Sequence, residues 1–251
     1  MACFLPRSSG GVPREGRACM SVSRILFRFA KEGEARYLSH RDLMRAFERA
    51  LRRAGLPVSM SQGFNPHPKL GILAALAVGV EAQDEALDVE FQPAVPADEA
   101  RDRLAAEMPR GLRVLSAATL PEGTRPRVES VVYEAELSAS CTPGPSEIER
   151  FLAQAAIAVR RGSGAEQAEV DIRPALRAMS VEGGRLRFEV AVAERGTPRA
   201  SEVLAALLGA GAAASQQARV RRTKVNLAIA GPRQQSGTAT GKRSEGDENA
   251  T

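Results

Sequence analysis

The sequence predicts an α+β fold of two tandem βαββαβ modules. Three observations carry this reading. Apolar residues switch between a period of 2 and a period of 3.6 in the same order in both halves, capping residues bracket the helical stripes, and a stretch rich in Pro, Gly and charge, Thr119–Arg127, separates the two series.

In the first half, Arg24–Ala30 alternates with Ile25, Phe27 and Phe29 on one face, as a half-buried strand does. A helix follows from about His40 to Ala54, with Leu43, Phe47, Ala50, Leu51 and Ala54 on one stripe. Ser39 supplies a cap-forming hydroxyl at its start, and Gly55 closes it. After Pro57 a strand-like stretch is broken by the turn Gly63-Phe64-Asn65-Pro66-His67-Pro68, and an extended apolar run, Leu70–Val80, continues from it. Glu81–Glu85 reads as a turn and Ala86–Phe91 as the next strand. Pro96–Met108 suits a helix, with Pro early and acids in the first turn, and Leu112–Leu115 offers a short last strand.

The second half repeats the order. Val131–Leu137 reads as a strand. Ser146 and Glu149 form a capping box for a helix whose Ile148, Phe151, Leu152 and Ala155 share a face. Glu169–Ala178 and Arg185–Ala193 are strands joined through Glu182-Gly183-Gly184, a hairpin turn. Thr197-Pro198 opens a helix with Val203, Leu204, Leu207 and Leu208 that stops at Gly209, and Val220–Ile229 is the last strand. Each half is thus the split βαβ of the ferredoxin-like fold, with modules at 21–120 and 129–230 joined by a linker at 121–128. Residues 1–20 have no apolar signal core and read as a disordered leader, or as an early start with Met20 opening the protein; the Gly/Ser/Thr-rich 231–251 reads as a disordered tail.

Composition removes several classes of function. The chain is 43% hydrophobic and 26% charged, which is globular, and no apolar run approaches the roughly 20 residues that span a bilayer, so a cytoplasmic protein without membrane contact is expected. Cys3, Cys19 and Cys141 are too scattered for a zinc ribbon, a disulfide framework or an iron–sulfur cluster. His40 and His67 are the only histidines, so no metal and no cofactor are expected. The formal charge is +5; the leader holds +2 of it and the tail none, which leaves +3 for the remainder.

That excess is local. His40–Leu56 holds five arginines against Asp42 and Glu48, and Arg41, Arg45, Arg49 and Arg52 form a stripe opposite the apolar one. Such a stripe is either a solvated helix face or a surface for phosphate backbone or an acidic partner, since guanidinium forks match both geometries. In Ser61–Lys69, Pro66 and Pro68 fix φ and push Asn65 and His67 toward extended backbone. The loop is either a rigid cap on a strand end or a recognition loop, in which Gln62, Asn65 and His67 hydrogen-bond, Phe64 stacks and Lys69 meets an anion. His40, at the helix start beside Arg41, is a capping or packing residue or a further binding group. No nucleophile–base pair and no carboxylate pair assembles from the spacing, so catalytic residues are unknown.

These residues carry a resemblance. YLSHRDLMRAFERALRRAGLPVSMSQGFNPHPK, VGVEAQDEALDVEF, DIRPALRAM and ARVRRTKVNL are similar to segments of the radical SAM-linked domain family, a bacterial domain of unknown function, over about Ser21 to Ala230. Members occur beside a radical SAM gene or fused to the C-terminal side of such an enzyme. The resemblance implies a separately encoded radical SAM protein as partner and assigns no activity to residues. Taken with the stripe and the loop, it leads to the expectation of a non-catalytic accessory module that binds RNA or another anionic substrate on His40, Arg41, Arg45, Arg49, Arg52, Gln62, Phe64, Asn65, His67 and Lys69. Two alternatives stay open: an RNA-processing or RNA-modifying enzyme that uses His40 or His67, and a protein–protein adaptor without nucleic acid; the tandem order also resembles the CRISPR repeat-processing endonucleases, a likeness of fold alone.

Overall fold

β1 (Ser23–Lys31) lies between two antiparallel neighbours, β3 (Glu81–Phe91) and β4 (Leu112–Leu120), in a computed structural model that describes residues 21–162, 168–192, 196–209 and 218–230. The expected leader and tail, 1–20 and 231–251, lie outside these residues. On one face of β1, Ile25, Phe27 and Phe29 are buried beneath α1 (His40–Arg53), as the alternation predicts. The strand is not half-buried, however. Leu26 and Ala30 on its other face are also buried, and Leu26, Ala86 and Leu120 pack with Leu73 and Leu227.

The helix α1 follows its sequence signals closely. The Ser39 hydroxyl accepts from the Asp42 N–H at 3.2 Å, Leu43, Ala46, Phe47, Ala50 and Leu51 are buried, and Gly55 closes the helix at φ +63°. Phe47 meets Phe29 edge-on at 4.8 Å. α2 (Ala97–Ala106) begins after Pro96 and buries Ala100 and Leu104 on the same core. β2 (Leu70–Ile72) pairs antiparallel with Leu87–Val89 of β3.

The second half comprises β5 (Arg125–Glu136), α3 (Pro145–Leu152), β6 (Ala158–Arg161), β7 (Ala168–Asp171), β8 (Leu176–Glu182), β9 (Arg185–Ala191), α4 (Ala200–Leu208) and β10 (Arg219–Ala230). Its core gathers Val131, Tyr133, Phe188, Val190, Val203 and Leu204 with Ile148 and Phe151 of α3. The eight-stranded sheet runs β4-β1-β3-β10-β5-β9-β8, with β2 on β3, and all its pairings are antiparallel except β3 with β10. That junction is short, Glu81 with Arg221 and Ala82 with Arg222. The fold is therefore a mixed α+β one with a large, mostly antiparallel sheet and few helices.

Several expected boundaries move. Glu81–Glu85 is not a turn but the N-terminal part of β3, because its acids are met by Arg36, Arg219, Arg28 and Arg222 from elsewhere. The run Leu70–Val80 stops being strand after Ile72. The Leu73 N–H still donates to Ala86, but the Ala74 and Ala75 carbonyls turn to the Arg222 guanidinium instead of β3. The strands β4 and β5 extend into the expected linker and leave only Pro121–Thr124 between them. At α3 the predicted box of Ser146 and Glu149 is replaced two residues earlier, where the Gly144 N–H donates to the Glu147 carboxylate at 2.8 Å; the helix ends at Leu152 and leaves Ala155 exposed outside it. The expected strand Glu169–Ala178 is divided by a single 3₁₀ turn, Arg173–Ala175, and its first part pairs with β6 in a separate two-stranded sheet. The Gly183-Gly184 hairpin forms as expected, with φ of +55° and +75°.

Candidate anion-binding surface

Because α1 buries one stripe, the opposite stripe must face water. Arg41, Arg45, Arg49 and Arg52 are all exposed, and so is His40, the first residue of the helix. Among the described residues, only Arg45 of these four has a carboxylate within 4.0 Å, Asp42 at that limit. The Ser39 hydroxyl, donating to Asp42 at 2.6 Å, holds its carboxyl below the usual range, and Arg45 and Arg49 add to this. Arg53, one residue on, is committed to Glu107 at 2.8 Å and takes no part in the stripe.

The chain leaves α1 through Gly55 and enters the loop Ser61–Lys69 along the edge of β3. The Ser59 N–H donates to Glu90, the Glu90 N–H to Lys69, and the Lys69 N–H to Ser59 at 2.8 Å, so both legs of the loop are pinned to one strand. Above this neck Met60 bridges Pro68, and the Ser61 N–H donates to the His67 carbonyl at 2.8 Å. The Ser61 hydroxyl also meets His67 Nδ1 at 2.9 Å and accepts from the His67 N–H at 3.0 Å. His67 is thereby an internal brace, and among the described residues its Nδ1 meets Ser61 and the Asn65 carbonyl and no carboxylate that would orient it as a base.

Gln62, Asn65 and His67 are exposed, and Phe64 is fully so at 106%. Lys69 is a partial exception to the expected role: its ammonium donates to Glu90 at 2.7 Å and holds that carboxyl below its usual range, so its charge is already half committed. The helix stripe and the loop border the same half of the molecule but are not joined: among the described residues no hydrogen bond or ion pair links them. His40 lies at the far end of the helix, about 20 Å from Arg53 at 1.5 Å per residue. Arg49 and Arg52 are the stripe members nearest the loop along the chain.

Sequence reasoning missed a second polar group, buried where the two halves meet. Arg222 of β10 forms a bidentate pair with Glu85 of β3, Nε to Oε1 at 2.5 Å and Nη2 to Oε2 at 2.7 Å, with side chains 2% and 1% exposed. Its remaining contacts are the carbonyls of Ala75 at 3.0 Å and Ala74 at 3.1 Å and the ring of Tyr133. Lys31 is buried close by and donates to the Arg36 carbonyl at 3.2 Å; burial pushes its ammonium down against the pull of Glu85. Burial pushes the Glu85 carboxyl up, opposed by Arg222 and Lys31. The signal was present in part, since Glu81, Glu85 and Leu87 continue the alternation of β3 and Arg222 interrupts an otherwise strand-like run. Among the described residues no three His, Cys, Asp or Glu side chains converge as metal ligands would. No described helix is long and apolar enough to cross a membrane.

A family model described as an uncharacterized protein conserved in bacteria (DUF2344) matches residues 24–202. The chain belongs to this family. The match begins within β1 and ends within α4, and so includes α1, the loop and Glu85 but not Arg222. No curated protein matches the chain. Among solved structures it is similar to the regulatory subunit of aspartate kinase from Thermus thermophilus, at 11% identity over 68% of this chain and 83% of that one, with a TM-score of 0.24. It is also similar to an unknown protein from Galdieria sulphuraria, at 15% identity over 84% and 99% of the two chains, with a TM-score of 0.26. At these scores neither likeness bears on function.

Proposed function

We propose that this chain is a non-catalytic accessory protein of a separately encoded radical SAM enzyme, and that it binds RNA or a comparable anionic substrate on α1 and the Ser61–Lys69 loop. The observation that carries the binding reading is the exposed face of α1, where Arg41, Arg49 and Arg52 have no carboxylate within ion-pair distance among the described residues. Guanidinium groups left unpaired on one face favour phosphate, and a fully exposed Phe64 on a braced loop offers a face on which a base can stack. The radical SAM part rests on the resemblance of the LSHRDLMR and SQGFNPHPK stretches. The fold part of the proposal is that each half is a ferredoxin-like module. Supporting it, β4-β1-β3-β2 and β10-β5-β9-β8 both run last, first, third, second when β6 and β7 are set aside.

Fluorescence anisotropy with a labelled single-stranded RNA tests the binding. Four neutralised phosphates give log K against log salt a slope of about −3. Replacing Arg45 and Arg49 with Glu should weaken binding and flatten that slope. Phe64→Ala should cost about 1–3 kcal/mol through lost stacking, without unfolding the protein, since the ring is fully exposed. Pull-down of the radical SAM protein with the same variants separates the readings: loss of that partner alone reassigns the surface to protein recognition, and unchanged binding of both ends the proposal.

A further inference from the structure

Leu73–Val80 is a strap of eight residues without a charged or hydrogen-bonding side chain. It is held by backbone contacts at both ends, the Arg222 guanidinium at Ala74 and Ala75 and the Arg36 carbonyl accepting from the Gly79 N–H at 2.9 Å. Between this strap and the second half lies a cleft of about 890 Å³. Its floor is the apolar face of β5 and β10, with Val131, Tyr133 and Val220, and its far wall is Leu204 and the first turn of α4. The volume falls within the ~300–1,000 Å³ of small-molecule pockets, and apolar surface on facing walls favours an apolar guest at about 25 cal/mol per Å².

Among the described lining residues there are two arginines, Arg199 and Arg222, and no carboxylate. Arg222 is paired with Glu85, so Arg199 is the one lining cation, among the described residues, without a carboxylate within 4.0 Å. At the other side Arg199 stands before α4; its N–H donates to the Glu202 carboxylate, which is itself paired with Arg161, while the first-turn N–H groups at Ala200 and Ser201 have no acceptor inside the helix.

We propose that this cleft binds a small amphipathic carboxylate. Its hydrocarbon body lies between the strap and the Val131–Tyr133–Val220 floor, and its head group meets Arg199. The size of the cleft, its apolar walls and the unpaired Arg199 among its described lining residues carry the assignment; the start of α4 only fixes which end takes the charge. The site is separate from the α1 surface and independent of the RNA reading.

Isothermal titration of the full chain with decanoate and with decanol tests it. Decanoate should bind saturably at one site and decanol about tenfold more weakly, since decanol lacks the charge-assisted contact with Arg199. Arg199→Glu should weaken decanoate by about the same factor and leave decanol unchanged. Ala75→Trp on the strap should abolish binding of both, and Val128→Trp on the opposite wall provides the same block should the first variant fail to fold. The proposal is overturned if decanoate does not saturate, if decanol binds as tightly, if Arg199→Glu changes nothing, or if a folded blocking variant still binds decanoate.

Discussion

Replacing Arg222 with Met keeps much of the side-chain volume but strips the charge from the junction of the two halves. The guanidinium is 2% exposed and makes four hydrogen bonds, two to Glu85 and one each to the Ala74 and Ala75 carbonyls. Its loss leaves Glu85, 1% exposed, with Lys31 as the nearest remaining cation, and takes the donor from two carbonyls of the strap. Removing one partner of a buried pair costs about 3–5 kcal/mol. In a domain of this size that is a fall in Tm of roughly 6–20 °C. Urea denaturation followed by circular dichroism measures it. The double variant Glu85→Leu/Arg222→Met should be less damaging than the sum of the singles by about 2–3 kcal/mol, because the orphaned carboxylate is gone. If Arg222→Met lies within about 1 kcal/mol of the parent, or if the two singles add, the pair is not the buried tie between halves described above.

Three further outcomes follow from local geometry. Gly111→Ala should destabilise by about 1–3 kcal/mol, because φ is +83° and a Cβ would meet the Glu32 carbonyl at 2.7 Å and Ala35 at 2.8 Å; Gly183→Ala, at φ +55° in open space, should lose less in the same denaturation assay. Ser39→Ala should lose about 1 kcal/mol of stability through the lost cap at α1. On acidification, Glu90 and Asp42 have folded-state pKa values held below their ordinary 4.5 and 3.8 by Lys69 and Ser39, so they contribute stability above those values that is lost as pH falls through the folded ones. Glu90→Gln should accordingly reduce the dependence of the urea midpoint on pH below about 4.5, and an unchanged profile would contradict it.

The parts of this protein that were legible in the sequence are those whose cause is local. The helix α1 is capped by Ser39, closed by Gly55 and patterned at 3.6 residues, so its buried face and its arginine face follow from spacing alone. The Gly183-Gly184 hairpin is likewise written in two adjacent residues that accept positive φ. The proline-framed loop was visible as a rigid segment, but its composition did not say that Phe64 would stand in water, that His67 would brace Ser61, or that Lys69 would be half neutralised by Glu90.

The start of β3 was misread for a reason that a window of neighbouring residues cannot remove. Glu81, Gln83, Asp84 and Glu85 look like a turn until Arg219 and Arg222, 138 and 137 residues away, supply the charge that lets them be strand. The same guanidinium takes the Ala74 and Ala75 carbonyls, which is why an apolar run that reads as strand ends at Ile72 and becomes the strap over the cleft. The sequence by itself determined the four helices, the strands β1, β5, β9 and β10 and the basic face of α1, because propensity, capping and periodicity act within a few residues, whereas β6, which pairs with β7 outside the main sheet, was not legible in it. Only the tertiary structure decided the join between the halves and the cleft beside it, because a buried charge is tolerated only where the fold delivers its partner.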